Sequence, residues 1–144
     1  MTTSIPIEFI QIEDDGAHLL ISTTINGKDS LLLIDTGASR TVFDNERIRS
    51  FVNQTSFEQN EKLSTGLGTN SMPTSMVKLN SITLGSLTIL EFNAVLLDLN
   101  HVIETYGKLG YSAIDGVLGN DILVDYGATI DYKKRTLTLE LEKV

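Results

Sequence analysis

The chain has no cysteine. That excludes a disulfide framework, a cysteine nucleophile and a thiolate metal site. Histidine is scarce too: His18 and His101 are single and far apart, without the paired spacing a metal site needs. No metal and no cofactor is therefore expected. Positive charge is in short supply, with 11 Lys and Arg against 19 Asp and Glu and a formal net charge of −8. A protein that grips a nucleic-acid backbone presents a basic face. The one basic cluster, Lys133-Lys134-Arg135, reads as a solvated turn, so no nucleic acid is expected as a partner. Apolar runs are short, and none approaches the ~18 residues of a membrane span. The start, Met-Thr-Thr-Ser-Ile-Pro-Ile-Glu, lacks the basic and apolar stretches of a secretory signal, and the expected compartment is cytoplasmic. No Gly-x-Ser-x-Gly elbow occurs. Gly66-Leu67-Gly68 lacks the third glycine and the Lys-Ser/Thr of a phosphate-binding loop.

What remains is the composition of a globular domain: 144 residues, 41% hydrophobic and 21% charged. With no linker or low-complexity tract, residues 1–144 read as one domain. Ile5 to Ile12 alternates apolar and polar residues with Pro6 near its start, which predicts an edge strand. His18–Ile25 and Lys28–Ile34 flank Asn26-Gly27, a strong signal for a two-residue hairpin. Asp44–Phe51 predicts a short helix capped by Asp44, with Ile48 and Phe51 inward. Residues 58–78 are polar, with Gly66-Leu67-Gly68 in their middle. Val77–Leu84 and Leu87–Leu97 read as strands. Leu99, Val102, Ile103, Tyr106 and Leu109 fall at helical spacing and Gly110 stands where a helix would stop, which predicts a helix near 99–109. Residues 128–141 read as a hairpin, with Leu137, Leu139 and Leu141 alternating against polar neighbours. The fold class is all-β with short helices.

Two strings carry chemistry. Residues 31–39 read Leu-Leu-Leu-Ile-Asp-Thr-Gly-Ala-Ser. A buried aliphatic strand delivers Asp35 into the tight turn Thr36-Gly37, and a carboxylate there is costly unless hydrogen-bonded or used. Residues 114–123 read Ile-Asp-Gly-Val-Leu-Gly-Asn-Asp-Ile-Leu, a second apolar run broken by glycine, after which Asn120 or Asp121 is placed to cap a helical turn.

The first string resembles the hydrophobic-hydrophobic-Asp-Thr-Gly-Ala/Ser motif of aspartic peptidases. The second resembles that family's downstream signature of two hydrophobic residues, Gly and a short helix. The order of elements is similar to the retropepsin-like, single-domain branch over roughly residues 17–142. The resemblance implies a retropepsin-like acid protease barrel or sandwich, with the helix near 99–109 as an insertion. It implies an aspartic endopeptidase that cuts a peptide or protein substrate without a cofactor. Asp35, Thr36 and Gly37 would be the catalytic motif, and Gly66, Leu67 and Gly68 the tip of a substrate-covering flap.

Two carboxylates are needed: one ionised to take a proton from water, one protonated to polarise the carbonyl. The chain carries one Asp-Thr-Gly, and its other aspartates include Asp15, Asp98, Asp115, Asp125 and Asp131. Asp115 precedes Gly116 in the second signature and is expected to cap a turn. Relatives with one motif per chain pair two copies, so the resemblance implies a homodimer with an Asp35–Asp35 dyad. Thr36 would then bond across the twofold axis. The chain ends, Ile5–Ile12 and Thr136–Leu141, are expected at the dimer interface. Ala38 lacks the hydroxyl that a serine would offer to the ionised carboxylate. The alternative is a non-catalytic peptide-binding or dimerisation module of the same fold.

Overall fold

The computed structural model describes residues 1–12, 14, 16–53, 57–65 and 71–144, with the backbone alone for 57–65 and 71–74. Strands β1 (Thr2–Pro6) and β2 (Glu8–Gln11) come first. The single edge strand expected over Ile5–Ile12 is thus two strands. The chain breaks at Ile7, whose N–H leaves the ladder and donates to the Arg135 carbonyl at 2.8 Å. β3 (Ala17–Ile25) and β4 (Lys28–Ile34) form the predicted hairpin, with Asn26 and Gly27 at φ 50° and 81° in the turn. β5 (Val42–Asp44) leads into a 3-10 turn, Arg47–Ser50, that buries Ile48. The helix expected over Asp44–Phe51 is only this turn, with Glu46 at its N-cap; Asp44, at the end of β5, accepts the N–H groups of Glu46 and Arg47 on its carboxylate.

β6 (Phe57–Thr65) and β7 (Ser71–Leu84) pair antiparallel, and β8 (Leu87–Leu97) returns along β7. Helix α1 (Asn100–Lys108) follows, where the helical spacing predicted it, and Gly110 ends it at φ 83°. The short β9 (Gly116–Leu118), helix α2 (Asn120–Asp125) and the hairpin β10 (Thr129–Asp131) and β11 (Thr136–Glu140) complete the chain.

The strands β3, β4, β9, β5, β8 and β7 are neighbours in that order, and β3 pairs back onto β7 through Thr24–Thr83 and Ile25–Ile82. Six strands therefore close a barrel, which leaves few free edges. Its filling includes Ile21, Ile25, Leu32, Phe43, Leu79, Ile82, Leu96 and Leu118, all buried. β4 alternates its two faces: Leu32 and Ile34 enter this core, while Leu31 and Leu33 meet a second cluster of Ile10, Leu20, Tyr106, Ile114 and Val117 under α1. Helix α1 is thus a cover for the outer face of the strand that leads to Asp35.

β1, β11 and β10 form a separate three-stranded sheet in that order. Thr136–Leu141 was expected to offer a free edge to a second copy. Instead β11 is the central strand, paired on both sides within the chain. Its backbone groups are used, and the outer edges of β1 and β10 remain.

Candidate active site

Two parallel segments, Leu32–Ile34 and Gly116–Leu118, run side by side in register, and β5 packs antiparallel on the far side of β9. The crossing is close. A Cβ on Gly116 would lie 2.4 Å from the Val42 carbonyl oxygen, and one on Gly119 would lie 2.5 Å from that of Arg40. Only glycine fits at these two points, so the glycines of the second string exist to let backbone meet backbone.

At the end of β4 the chain turns through Asp35, Thr36 and Gly37, all exposed in the single chain. The turn is held from both strings. The Asp35 N–H donates to the Leu118 carbonyl at 3.0 Å, and the Ala38 N–H donates to the Asp35 carbonyl at 3.1 Å. Asn120 grips the turn twice: its side-chain amide donates to the Thr36 carbonyl at 2.7 Å, and its N–H donates to the Ala38 carbonyl at 2.8 Å. The Gly37 N–H donates to Asp35 Oδ1 at 2.9 Å. A Cβ on Gly37 would press to 3.2 Å from that oxygen. The carboxylate is fixed by backbone on one oxygen and open on the other side.

Asp121 anchors the way out of the turn. Its carboxylate accepts the Thr41 N–H and the Thr41 hydroxyl, and Arg40 lies 3.7 Å away. The Gly119 N–H donates to the same Thr41 oxygen at 3.0 Å. Asn120 and Asp121 were expected as caps of the following helix. The residue at that position is Gly119, and no side chain bonds there. The Asn120 side chain is instead spent on the Asp35 turn, while Asp121 holds the exit of the turn and also accepts the Ile122 N–H in the first turn of α2 at 3.0 Å.

Each of the other carboxylates considered above that the structure describes is engaged by a partner other than Asp35. Asp115 is buried; its Oδ2 accepts the Leu31 N–H at 2.9 Å and its Oδ1 the Arg47 Nε–H at 2.8 Å. Leu31 is four residues from Asp35 along an extended strand, a separation of about 13 Å. Asp115 therefore fastens β4 to the 3-10 turn and does not cap a local turn. Asp98 accepts the Asn100 N–H, Asp131 accepts the Lys134 N–H, and Asp125 faces Lys143 at 3.5 Å. Asp15 and the expected flap residues Gly66, Leu67 and Gly68 lie outside the described residues.

A cavity of about 270 Å³ opens beside the turn, lined by Asp35 and Thr36 together with His18, Leu33, Ile130 and Tyr132 among others. His18, Ile130 and Tyr132 were not singled out from sequence as site residues. For His18 a signal existed. The Asn26-Gly27 turn fixes Leu20 opposite Leu33, and two further residues of the same register bring His18 opposite Asp35. Tyr132 is 64% exposed and Val124, on α2, is 67% exposed, so apolar surface flanks the Thr36 side of the turn.

Among the described residues no cluster of His, Asp and Glu side chains gathers that would hold a metal ion. No helix among them is long and apolar enough to cross a membrane. The Lys133–Arg135 stretch is the β10–β11 turn, as its composition predicted, with the Arg135 guanidinium over the Phe9 ring at 4.6 Å.

A family model described as aspartyl protease matches residues 21–122. No curated protein sequence matches at a significant level. Solved structures do. A retropepsin-like aspartic protease from Rickettsia conorii aligns with a TM-score of 0.58 and 22% identity, covering 96% of this chain and 92% of that one. The retroviral protease-like domain of Ddi1 from Leishmania major aligns at 0.59 and 17%, covering 88% and 91%. The EIAV protease complexed with the inhibitor HBY-793 aligns at 0.57 and 19%, covering 85% and 99%. At these identities the likeness is one of fold, and the fold is retropepsin-like.

Proposed function

The chain belongs to the aspartyl protease family, and on that premise we propose that it is an endopeptidase working as a homodimer. Residues 1–144 act as one catalytic domain, and two copies meet on a closed twofold axis, the commonest arrangement for a homo-oligomer. The axis brings the two Asp35 carboxylates together. One, ionised, takes a proton from a water molecule. The other, protonated, donates to the carbonyl oxygen of the peptide as water attacks it. The tetrahedral intermediate collapses as the proton passes to the leaving amine, and no covalent enzyme intermediate forms.

The observation that carries this reading is the state of Asp35 itself. It is presented at the surface, one oxygen held by the Gly37 N–H, while the candidate in-chain carboxylates that are described are bonded to other groups. A second copy supplies what one chain lacks. The exposed Thr36 would bond to its counterpart across the axis. The apolar surface at Val124 and Tyr132 and the free edge of β1 are available for the partner. Gly66, Leu67 and Gly68 fall between β6 and β7 in the sequence and would form the tip of a flap over the substrate. An extended peptide would lie beneath it, held by backbone hydrogen bonds as an added strand.

The test is hydrolysis of a mixed peptide library by native protein and by Asp35→Asn, each first shown to be folded and dimeric. The amide is nearly isosteric but cannot act as base, so cleavage should disappear. Cleavage within about tenfold of native would rule out Asp35 as the catalytic carboxylate. Equal peptide binding by both proteins, with no cleavage by either, would support a binding module instead.

A further inference from the structure

His18 is the one imidazole in the Asp35 cavity, and it is not free to choose its tautomer. Its Nδ1 is hydrogen-bonded to the hydroxyl of Tyr106, and the two rings meet edge to face with centroids 5.6 Å apart. Tyr106 belongs to α1 and is 1% exposed. Burial raises its pKa above the ordinary phenol value, so the hydroxyl keeps its proton. No other partner of that hydroxyl is found among the described residues. A buried O–H without an acceptor is costly, whereas a phenol oxygen with a spare lone pair is not. The phenol therefore donates to Nδ1, and the ring proton is forced onto Nε2. His18 is exposed and lines the cavity, and with Nδ1 engaged by the buried tyrosine, Nε2 is the ring nitrogen left to a guest.

The cavity around it suits one kind of guest. Ala17, Leu19, Leu33 and Ile34 supply apolar wall, while the Asp35 carboxylate lies in the same space. The protein carries a net charge of −8. A second anion is disfavoured there. A side chain with a methylene stem and a neutral acceptor at its tip satisfies both wall and donor.

The geometry points to His18 as a specificity-determining residue, its Nε2–H, set by Tyr106 of α1, donating to the side-chain oxygen of a glutamine in a peptide substrate. His18 would touch substrate, and Tyr106 is a positioning residue acting through it. The peptide as ligand rests on the proposed peptidase reading; the tautomer does not.

The test has two arms. Nitrogen-15 NMR of histidine-labelled native protein should show the proton of His18 on Nε2, and Tyr106→Phe should give a mixture of tautomers. In the second arm, peptides that differ only by Gln or Leu at each position in turn are titrated into the Asp35→Asn protein, which binds without turnover. At one position Gln should bind about 3- to 10-fold more tightly than Leu. His18→Ala should bring the ratio near one, and His18→Gln, which keeps a donor, should restore part of it. A proton on Nδ1, a preference that survives His18→Ala, or Gln and Leu peptides binding alike or alike not at all would overturn the proposal. A Gln preference in a protein whose native form cleaves nothing would leave this inference standing and remove the peptidase reading.

Discussion

The Asp121 carboxylate takes both hydrogens that Thr41 can offer, the backbone N–H at 2.9 Å and the hydroxyl at 2.7 Å, while the Thr41 oxygen takes the N–H of Gly119. One threonine, fully buried, thus ties the two strings of the active site to each other. This knot holds the exit of the Asp35 turn beside the hydrogen bonds the turn makes itself.

Thr41→Val keeps the shape and removes the hydroxyl. The Gly119 N–H is left without its acceptor, and Asp121 Oδ1 loses one of its donors while keeping the Thr41 and Ile122 N–H groups. The expected loss of stability is about 1–3 kcal/mol. Peptidase activity per folded molecule should fall as well, because Gly119 precedes the Asn120 that grips Thr36 and Ala38. Urea unfolding and kcat/KM, measured on the same preparation, check both effects.

The parts of the site that were legible in the sequence are the local ones. Leu-Leu-Leu-Ile-Asp-Thr-Gly announces itself within nine residues, as does Val-Leu-Gly after Asp115. Strands and helix α1 were readable from period and from turn chemistry, Asn26-Gly27 and Gly110 above all. What was hidden is what joins distant positions. Arg47 meets Asp115 across 68 residues, Thr41 meets Asp121 across 80, and His18 meets Tyr106 across 88. No periodicity encodes such a meeting; it exists only once the barrel has closed. Two of the misread features, both in the strands, have the same origin. Ile7 breaks an alternating strand because Arg135 claims its N–H, and β11 fills its edges with β1 and β10 from opposite ends of the chain.

Ala38 follows the motif and is partly buried, with its N–H and carbonyl both used by the turn. The resemblance to the family motif, where serine can stand at this position, implies that a hydroxyl added there would donate to the Asp35 carboxylate. Ala38→Ser should then favour the ionised dyad and move the acid limb of kcat/KM to lower pH. The profile of both proteins on one peptide should be bell-shaped. Coincident profiles, or a shift to higher pH, would mean that residue 38 does not face the carboxylate.

Tyr106 makes the fold sensitive to alkali. Its pKa is raised above 10.0 by burial. In the unfolded chain the phenol ionises first, so above pH 10 the unfolded state binds fewer protons than the folded one. Stability is intact below that pH and declines as pH rises toward the folded-state value. Tyr106→Phe removes this component, so the difference in stability between native and variant should shrink as pH rises from 9 to 11. Thermal unfolding across that range checks it.

The central claim is that each active site needs Asp35 from two chains, and mixing tests it most directly. Native and Asp35→Asn proteins, dissociated together and reassembled in equal amounts, form three kinds of dimer. If both carboxylates are needed, only the fully native dimers cleave, and activity falls to about one quarter of that of the same total amount of native protein. Across mixing ratios it should follow the square of the native fraction. A linear fall, reaching about one half at equal mixing, would mean that one Asp35 suffices and that its partner carboxylate lies within its own chain.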